Sequence, residues 1–150
     1  MTNYLAPIDL EDQSLLAGVI ETTVQMATGV ANATIYLMTV VPDIAPGIDQ
    51  RYAVRGEMGD STEYPLQEWK DQAAEDLKTI ASKSIPEDMQ GGVVVKNGTV
   101  YREIVEAARD LDISHIVMGA HRPSLADFLL GPNSARVARH ASCSVTVVRK

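Results

Sequence analysis

The sequence is poor in cysteine and in aromatic residues, with one cysteine, one tryptophan and one phenylalanine among 150 residues. A lone Cys143 excludes an internal disulfide framework and any metal site built from several cysteines. No run approaches the roughly 20 apolar residues that a membrane-crossing helix needs. The start, residues 1–5, lacks the basic and apolar regions of a secretory signal peptide. We therefore expect a cytoplasmic protein with no membrane partner.

The common phosphate-binding and catalytic motifs are also absent. The sequence contains no Gly-x-x-x-x-Gly-Lys-Ser/Thr, no Gly-x-Gly-x-x-Gly and no Gly-x-Ser-x-Gly. Its three histidines, His115, His121 and His140, are too scattered for a helical metal motif. No residue stands out as a general base, so we predict no catalytic and no metal-binding residue, and a dedicated enzyme is disfavoured.

Charge is distributed unevenly along the chain, whose formal net charge is −7. Residues 120–150 carry five basic residues against one acid, Asp127, which gives about +4 and leaves about −11 for residues 1–119. The acidic majority disfavours nucleic acid as a partner. Two interpretations of the basic end remain open: solvated helix faces, or a local anion site.

Apolar periodicity predicts strands alternating with helices. Strands are predicted at 4–8, 33–41, 93–95, 113–119 and 144–148. Helices are predicted at 12–28, from Ser61 or Thr62 to just before Pro86, at 100–111 and at 132–140. The apolar stripe of the second helix consists of Leu66, Trp69, Ala73, Leu77 and Ile80. Residues 42–60, rich in proline and glycine, are predicted to form a long loop.

This alternation predicts an α/β fold: an open, doubly wound, five-stranded parallel sheet with helices on both faces. The predicted strand order is 3-2-1-4-5, in a single domain spanning residues 1–150. In that order the chain changes direction between strands one and four, and ligands bind at the carboxyl ends of strands beside such a switch point. We therefore expect residues 7–10 and 117–121 to face one crevice.

The segment from Gly119 to Ser134 has the composition of an anion site. A glycine ends a buried strand, and a second glycine, Gly131, precedes a helix whose free N–H groups and positive dipole end can hold phosphate. Asn133 and Ser134 offer further donors, and Arg122 offers charge. The alternative is that both glycines only serve the turns.

The end of the chain resembles that of bacterial universal stress proteins. The resemblance rests on Leu-Leu-Gly-x-Asn-Ser at 129–134 and on Val-Ala-Arg-His-Ala-Ser-Cys-Ser-Val-Thr-Val-Val-Arg at 137–149. Leu-Ala-Pro-Ile-Asp at 5–9 is similar to the family's first strand, and residues 98–104 and 115–119 match in order and spacing. A bacterial branch with a His-Arg-Pro loop and Leu-Leu-Gly-Ser-Asn is similar in length.

The phosphate motif departs from the pattern of the ATP-binding members, which is glycine, two residues, glycine, nine residues, glycine, then serine or threonine. Gly119 and Gly131 match the outer glycines, whereas Arg122 replaces the middle one and the spacing to Gly131 is one residue shorter. Pro132 replaces the hydroxyl residue and removes one N–H from the phosphate cradle. Pro132 also suits the first position of a helix, so it has a purely structural explanation.

The resemblance implies a set of residues that bind ATP or a related adenine nucleotide, with or without Mg²⁺. Asp9 would lie near adenine or ribose, and capping of the first helix is its alternative role. Val40 would meet the adenine edge and Met118 would flank the nucleotide, with core packing as the alternative for both. The complete predicted set is Pro7, Asp9, Val40, Met118, Gly119, His121, Arg122, Gly131, Asn133 and Ser134.

Three functions are compatible with these residues. The first is an adenine-nucleotide-binding regulatory homodimer of the stress response, paired through the fifth strand and acting on a protein partner that the sequence does not identify. The second is a nucleotide-free dimeric interaction module whose site Pro132 has disabled. The third is a slow ATPase or a self-phosphorylating protein.

The final strand, Ser144–Val148, is β-branched at four of five positions and lies at a sheet edge, which favours pairing with another chain.

Overall fold

Strands and helices alternate along the chain in a computed structural model that describes residues 1–41, 65–120 and 132–149. The strands are β1 Thr2–Pro7, β2 Ala33–Val41, β3 Gln90–Asn97, β4 His115–Gly119 and β5 Ser144–Val148. The α-helices are α1 Gln13–Ala27, α2 Leu66–Ser84, α3 Val100–Asp110 and α4 Pro132–His140, and a 3-10 turn, Glu87–Met89, precedes β3. The predicted loop at 42–60 lies outside the described residues.

The five strands form one parallel sheet in the order β3-β2-β1-β4-β5, which confirms the predicted α/β fold and strand order. Thr2 of β1 pairs with Ala33 of β2, and Tyr4 pairs with His115 of β4. The register of β2 against β3 shifts between Ile35 and Tyr36. Because β1 lies at the centre, the connection from β3 to β4 passes over it.

The helices cover both faces of the sheet. Helices α1 and α2 pack on one face, where Leu16 and Leu77 meet strand residues such as Leu37. Helices α3 and α4 pack on the other face, where Ile104 and Val137 are buried. Successive strand residues point to opposite faces, and the centre of the sheet is therefore buried on both sides, as in doubly wound proteins.

Helix α2 differs from its sequence-based prediction at its start. It begins at Leu66 after Pro65, with no side-chain hydrogen bond at its N-cap, whereas Ser61 and Thr62 lie outside the described residues. Trp69, predicted to lie on the apolar stripe, is 39% exposed. Ala73 and Leu77 are buried and hold the helix to the sheet. Among the described residues, no helix has both the length and the apolar character that a membrane span requires.

His115 has a structural environment at the amino end of β4. Its Nε2 lies 2.7 Å from Oγ1 of Thr146 on β5, and its ring stacks on Tyr4 of β1 with centroids 5.9 Å apart. Burial disfavours the charged imidazolium and lowers the pKa of His115. His115 thus links three neighbouring strands as a neutral side chain.

We expect the stability of the protein to fall at mildly acidic pH through His115. The unfolded chain takes up a proton near pH ~6.5, whereas folded His115 resists it because its pKa is lowered. The contribution is complete above pH ~6.5 and is lost as the pH falls through the folded pKa. Melting temperatures between pH 7.5 and 5 test this: the uncharged variant His115→Gln should show a shallower fall than the wild type. Equal slopes would contradict the prediction.

Candidate functional site

A cleft of about 680 Å³ opens at the carboxyl ends of β1 and β4. The sheet order places the change of chain direction between these two strands, and ligands bind at such a switch point in open α/β sheets. The end of β2 contributes Thr39 and Val40 to the cleft wall, and the starts of α1, α3 and α4 complete it. The predicted crevice is therefore present in the fold.

Seven of the ten predicted site residues line this one cleft. They come from four separate parts of the chain: Pro7, Asp9, Val40, Met118, Gly119, Asn133 and Ser134. The other three, His121, Arg122 and Gly131, lie outside the described residues. Their assignment to a bound phosphate stays a prediction from sequence.

The alternative role of Asp9 as the cap of the first helix is wrong. Helix α1 is capped by Asp12, whose carboxylate accepts a hydrogen bond from the backbone N–H of Leu15 at 3.3 Å. The Oδ1 of exposed Asp9 accepts the backbone N–H of Glu11 at 2.9 Å, which shapes the turn that leads into α1. Both carboxylates therefore lie at the cleft in positions set by backbone hydrogen bonds.

Gly119 allows a close approach, but the approaching group is a side chain of the protein. A Cβ placed on Gly119 would lie 2.6 Å from Cγ and Cδ2 of Leu15 on α1. Helix α1 therefore packs over the end of β4 at a distance that only glycine permits without rearrangement. The glycine predicted to serve a ligand has a packing role in the fold itself.

Ser134 is also engaged within the fold. Its hydroxyl donates a hydrogen bond to the carbonyl oxygen of Gly119 at 3.1 Å, and the residue is 1% exposed. This bond holds the first turn of α4 against the end of β4. The hydroxyl proton is consequently committed to the protein rather than offered to the cleft.

Several lining residues were not predicted from the sequence. Leu15, Leu16, Val19 and Ile104 pack in the core, and they reach the cleft because α1 and α3 begin beside it. Thr39, 8% exposed, precedes the predicted Val40 on β2. The other unpredicted members are Glu11, Asp12 and Val100, whereas Ile8 and Ala120 belong to the segments 7–10 and 117–121 that were expected to face the crevice.

The described part of the cleft is acidic. Asp9, Glu11 and Asp12 line it, and none of its described lining residues is a lysine, arginine or histidine. Its remaining walls are largely aliphatic, with Val40, Val100 and Met118 among them. Aliphatic walls of this kind can pack against a flat apolar group.

The thiol of Cys143 lies apart from the cleft. Cys143 is half-buried and does not line it, and burial raises the pKa of the Cys143 thiol so that it is protonated at neutral pH. Within residues 1–41, 65–120 and 132–149, no group of three or more His, Cys, Asp or Glu side chains is placed to hold a metal ion.

The parallel sheet, its strand order and the cleft at its switch point define an open, doubly wound α/β protein. The model of the universal stress protein family matches residues 1–149. The chain belongs to the universal stress protein family, as its end and its first strand indicated.

Similar proteins carry the same family name. Universal stress protein G of Shigella flexneri is 36% identical over 78 residues, which are 52% of this chain and 55% of that protein. The match thus spans about half the length of this curated relative. The solved universal stress protein UspA from Lactobacillus plantarum is 23% identical over 99% of this chain and 97% of its own, with a TM-score of 0.60.

A third protein, a universal stress protein solved in complex with cAMP, is 20% identical over 99% of this chain and 96% of its own, with a TM-score of 0.61. At these identities the two solved structures show the fold that they share with this chain, and cAMP is the ligand of the third protein.

Proposed function

We propose that the protein binds an adenine nucleotide at the switch-point cleft and acts as a homodimeric regulator in the stress response. The observation that carries this proposal is the convergence of seven residues, predicted from the sequence and from family resemblance, on one cleft at the carboxyl edge of the sheet. Since these residues come from distant parts of the sequence, their convergence supports a shared role. The proposed unit is the single domain of residues 1–150, and its protein partner is unidentified.

The cleft fits an adenine nucleoside in size and surface. Its volume of about 680 Å³ lies within the usual range for small-molecule sites. Val40 and Met118 supply aliphatic walls for a base, while Asp9 and Asn133 supply polar groups for a base edge or a ribose. Arg122 and Gly131, together with His121, are proposed from the sequence to meet the phosphates, with or without Mg²⁺.

Calorimetric titration with adenosine, AMP, ADP and ATP tests the proposed function. We expect saturable binding with a dissociation constant in the micromolar range or weaker. Val40→Trp should abolish it, because the added ring fills volume beside the aliphatic wall where the base is proposed to lie. The matched control is Val30→Trp, since Val30 is exposed before the start of β2, away from the cleft. The proposal would be contradicted if the wild-type protein bound none of the ligands at millimolar concentration, or if both variants lost the same amount of affinity.

A nucleotide-free dimeric module is the second candidate, and one observation favours it. The Ser134 hydroxyl donates to the Gly119 carbonyl, and Pro132 contributes no N–H at the start of α4. Both features reduce the donors that this helix end can offer to phosphate. The titration distinguishes the two candidates, since saturable binding of an adenine nucleotide favours the first and no binding favours the second. A separate assay that shows steady release of phosphate from ATP would indicate a slow ATPase.

A further inference from the structure

The outer side of α4 carries basic residues on an otherwise acidic protein. Arg136, Arg139 and His140 are exposed, whereas Val137 is fully buried on the other side of the helix. The chain contains no aspartate or glutamate after Asp127, although its formal net charge is −7. These three exposed residues form the basic face of α4, and they are not among the described residues that line the cleft.

Tyr101 of α3 holds part of this face in position. The guanidinium carbon of Arg136 lies 5.2 Å from the centroid of the Tyr101 ring, and the ring of His140 lies 5.7 Å from the same ring. Arg136 and His140 are four residues apart and therefore neighbours on the helix surface. A guanidinium stacked on an aromatic ring keeps donors at its edge, and a side chain that is ordered beforehand loses less entropy on binding.

We propose that the basic face of α4 is a docking site for an acidic segment of a protein partner. Aspartate or glutamate side chains of the partner accept hydrogen bonds from Arg136 and Arg139, since the planar guanidinium matches the two oxygens of a carboxylate. The inference adds the chemistry of the protein partner to the proposed function. It does not depend on nucleotide binding at the cleft.

The size of the basic face favours a short protein segment over nucleic acid. Arg136 and His140 are separated along the helix axis by about 6 Å, which two or three extended residues can span. A nucleic acid duplex would reach beyond this face to its surroundings, where Glu106 and Asp110 of α3 are exposed. Residues 1–119 together carry a charge of about −11, so the wider surface repels a long polyanion.

The test is fluorescence anisotropy of the full chain with a labelled peptide of about six glutamates, in roughly 0.1 M salt. At this ionic strength the Debye length is about 10 Å, so the distant acidic surface is screened more than the contact itself. We expect saturable binding with a dissociation constant below roughly 500 μM. The matched control is the same peptide with glutamine in place of every glutamate, which should not bind.

Substitutions on α4 locate the contact. Arg136→Ala and Arg139→Ala should each weaken binding of the glutamate peptide about 3-fold, and the double variant about 10-fold. Lys83→Ala is the matched control, because it makes the same change of net charge at an exposed position on α2, on the opposite face of the sheet. Melting temperatures establish that each variant is folded.

A second pair of variants tests the role of the tyrosine ring. Tyr101→Leu removes the ring beneath Arg136 and should weaken the peptide about 2-fold, whereas Tyr101→Phe keeps the ring and should bind as the wild type does. Equal affinity in the leucine and phenylalanine variants would show that stacking does not prepare Arg136 for the partner.

Four results would overturn the docking site. These are no binding of the glutamate peptide, equal binding of the glutamine peptide, equal losses in Arg139→Ala and Lys83→Ala, and tighter binding of a DNA duplex than of the glutamate peptide. The last result would assign the basic face to nucleic acid instead. Failure of adenine nucleotides to bind would contradict only the function proposed for the cleft, so the two proposals fail separately.

Discussion

Val147→Pro is expected to yield a monomer under conditions in which the wild-type protein forms the proposed homodimer. Strand β5 lies at one edge of the sheet and pairs with β4 on its other side. In a two-fold pair of β5 strands, proline would remove the N–H of residue 147 from both copies and place its ring at the contact. The loss of two backbone hydrogen bonds should weaken dimerisation by roughly 100-fold.

The backbone of β5 shows which residues face the open edge. The carbonyl of Val148 accepts the N–H of Ala120, 2.9 Å away, and therefore points towards β4. The N–H and C=O of one strand residue point the same way, and neighbouring residues alternate. Val147 and Val145 consequently direct their backbone groups away from β4, whereas Thr146 directs its groups towards β4.

This geometry also sets the controls. Val145→Pro is a second test, because Val145 and Val147 direct their backbone groups to the same edge, and it should also lose the dimer. Val147→Ala keeps the backbone N–H and should retain the dimer, while Thr146→Pro should damage the β4–β5 ladder and lower the melting temperature. Light scattering at tens of micromolar checks the masses. A wild-type monomer, or a dimeric Val147→Pro variant, would contradict the proposed pairing.

Gly119→Ala is expected to destabilise the fold by about 1–3 kcal/mol, because the new methyl group must displace the side chain of Leu15. The overlap would fall on Cγ and both Cδ atoms of Leu15, so a small rotation of one terminal methyl cannot relieve it. The melting temperature should fall by roughly 2–4 °C per kcal/mol. Thermal or urea unfolding measures the loss.

Truncation of Leu15 tests whether its overlap with the new methyl group at residue 119 causes the loss of stability. Leu15→Ala removes the overlapping atoms, and the double variant should be more stable than the sum of the single losses predicts, by about 1 kcal/mol or more. Gly18→Ala is the matched control within α1: its Cβ would meet only Val148 Cγ1, at 3.8 Å, and alanine favours a helix interior by about 1 kcal/mol. Strict additivity for Gly119 and Leu15 would exclude direct overlap as the cause.

The sequence by itself determined the fold class, the strand order and the family. Apolar periodicity is a local property, so the ranges of β2, α4 and β5 could be predicted directly, and the other elements were located to within a few residues. Parallel strands joined by crossover helices restrict the topology to few choices, and family resemblance selected one of them. The convergence of Asp9, Val40 and Gly119 on one cleft follows from that order.

Only the tertiary structure decided which partner each residue has. The sequence allowed Asp9 to cap α1, but the backbone places Asp12 at that position. It allowed Gly119 and Ser134 to serve a ligand, yet Leu15 packs on the first and the hydroxyl of the second donates to Gly119. A sequence pattern reports the local preference of a residue. Ser134, in contrast, is 15 positions from Gly119 along the chain, and Leu15 is more than 100 positions from it. Their distances depend on how the helices pack on the completed sheet.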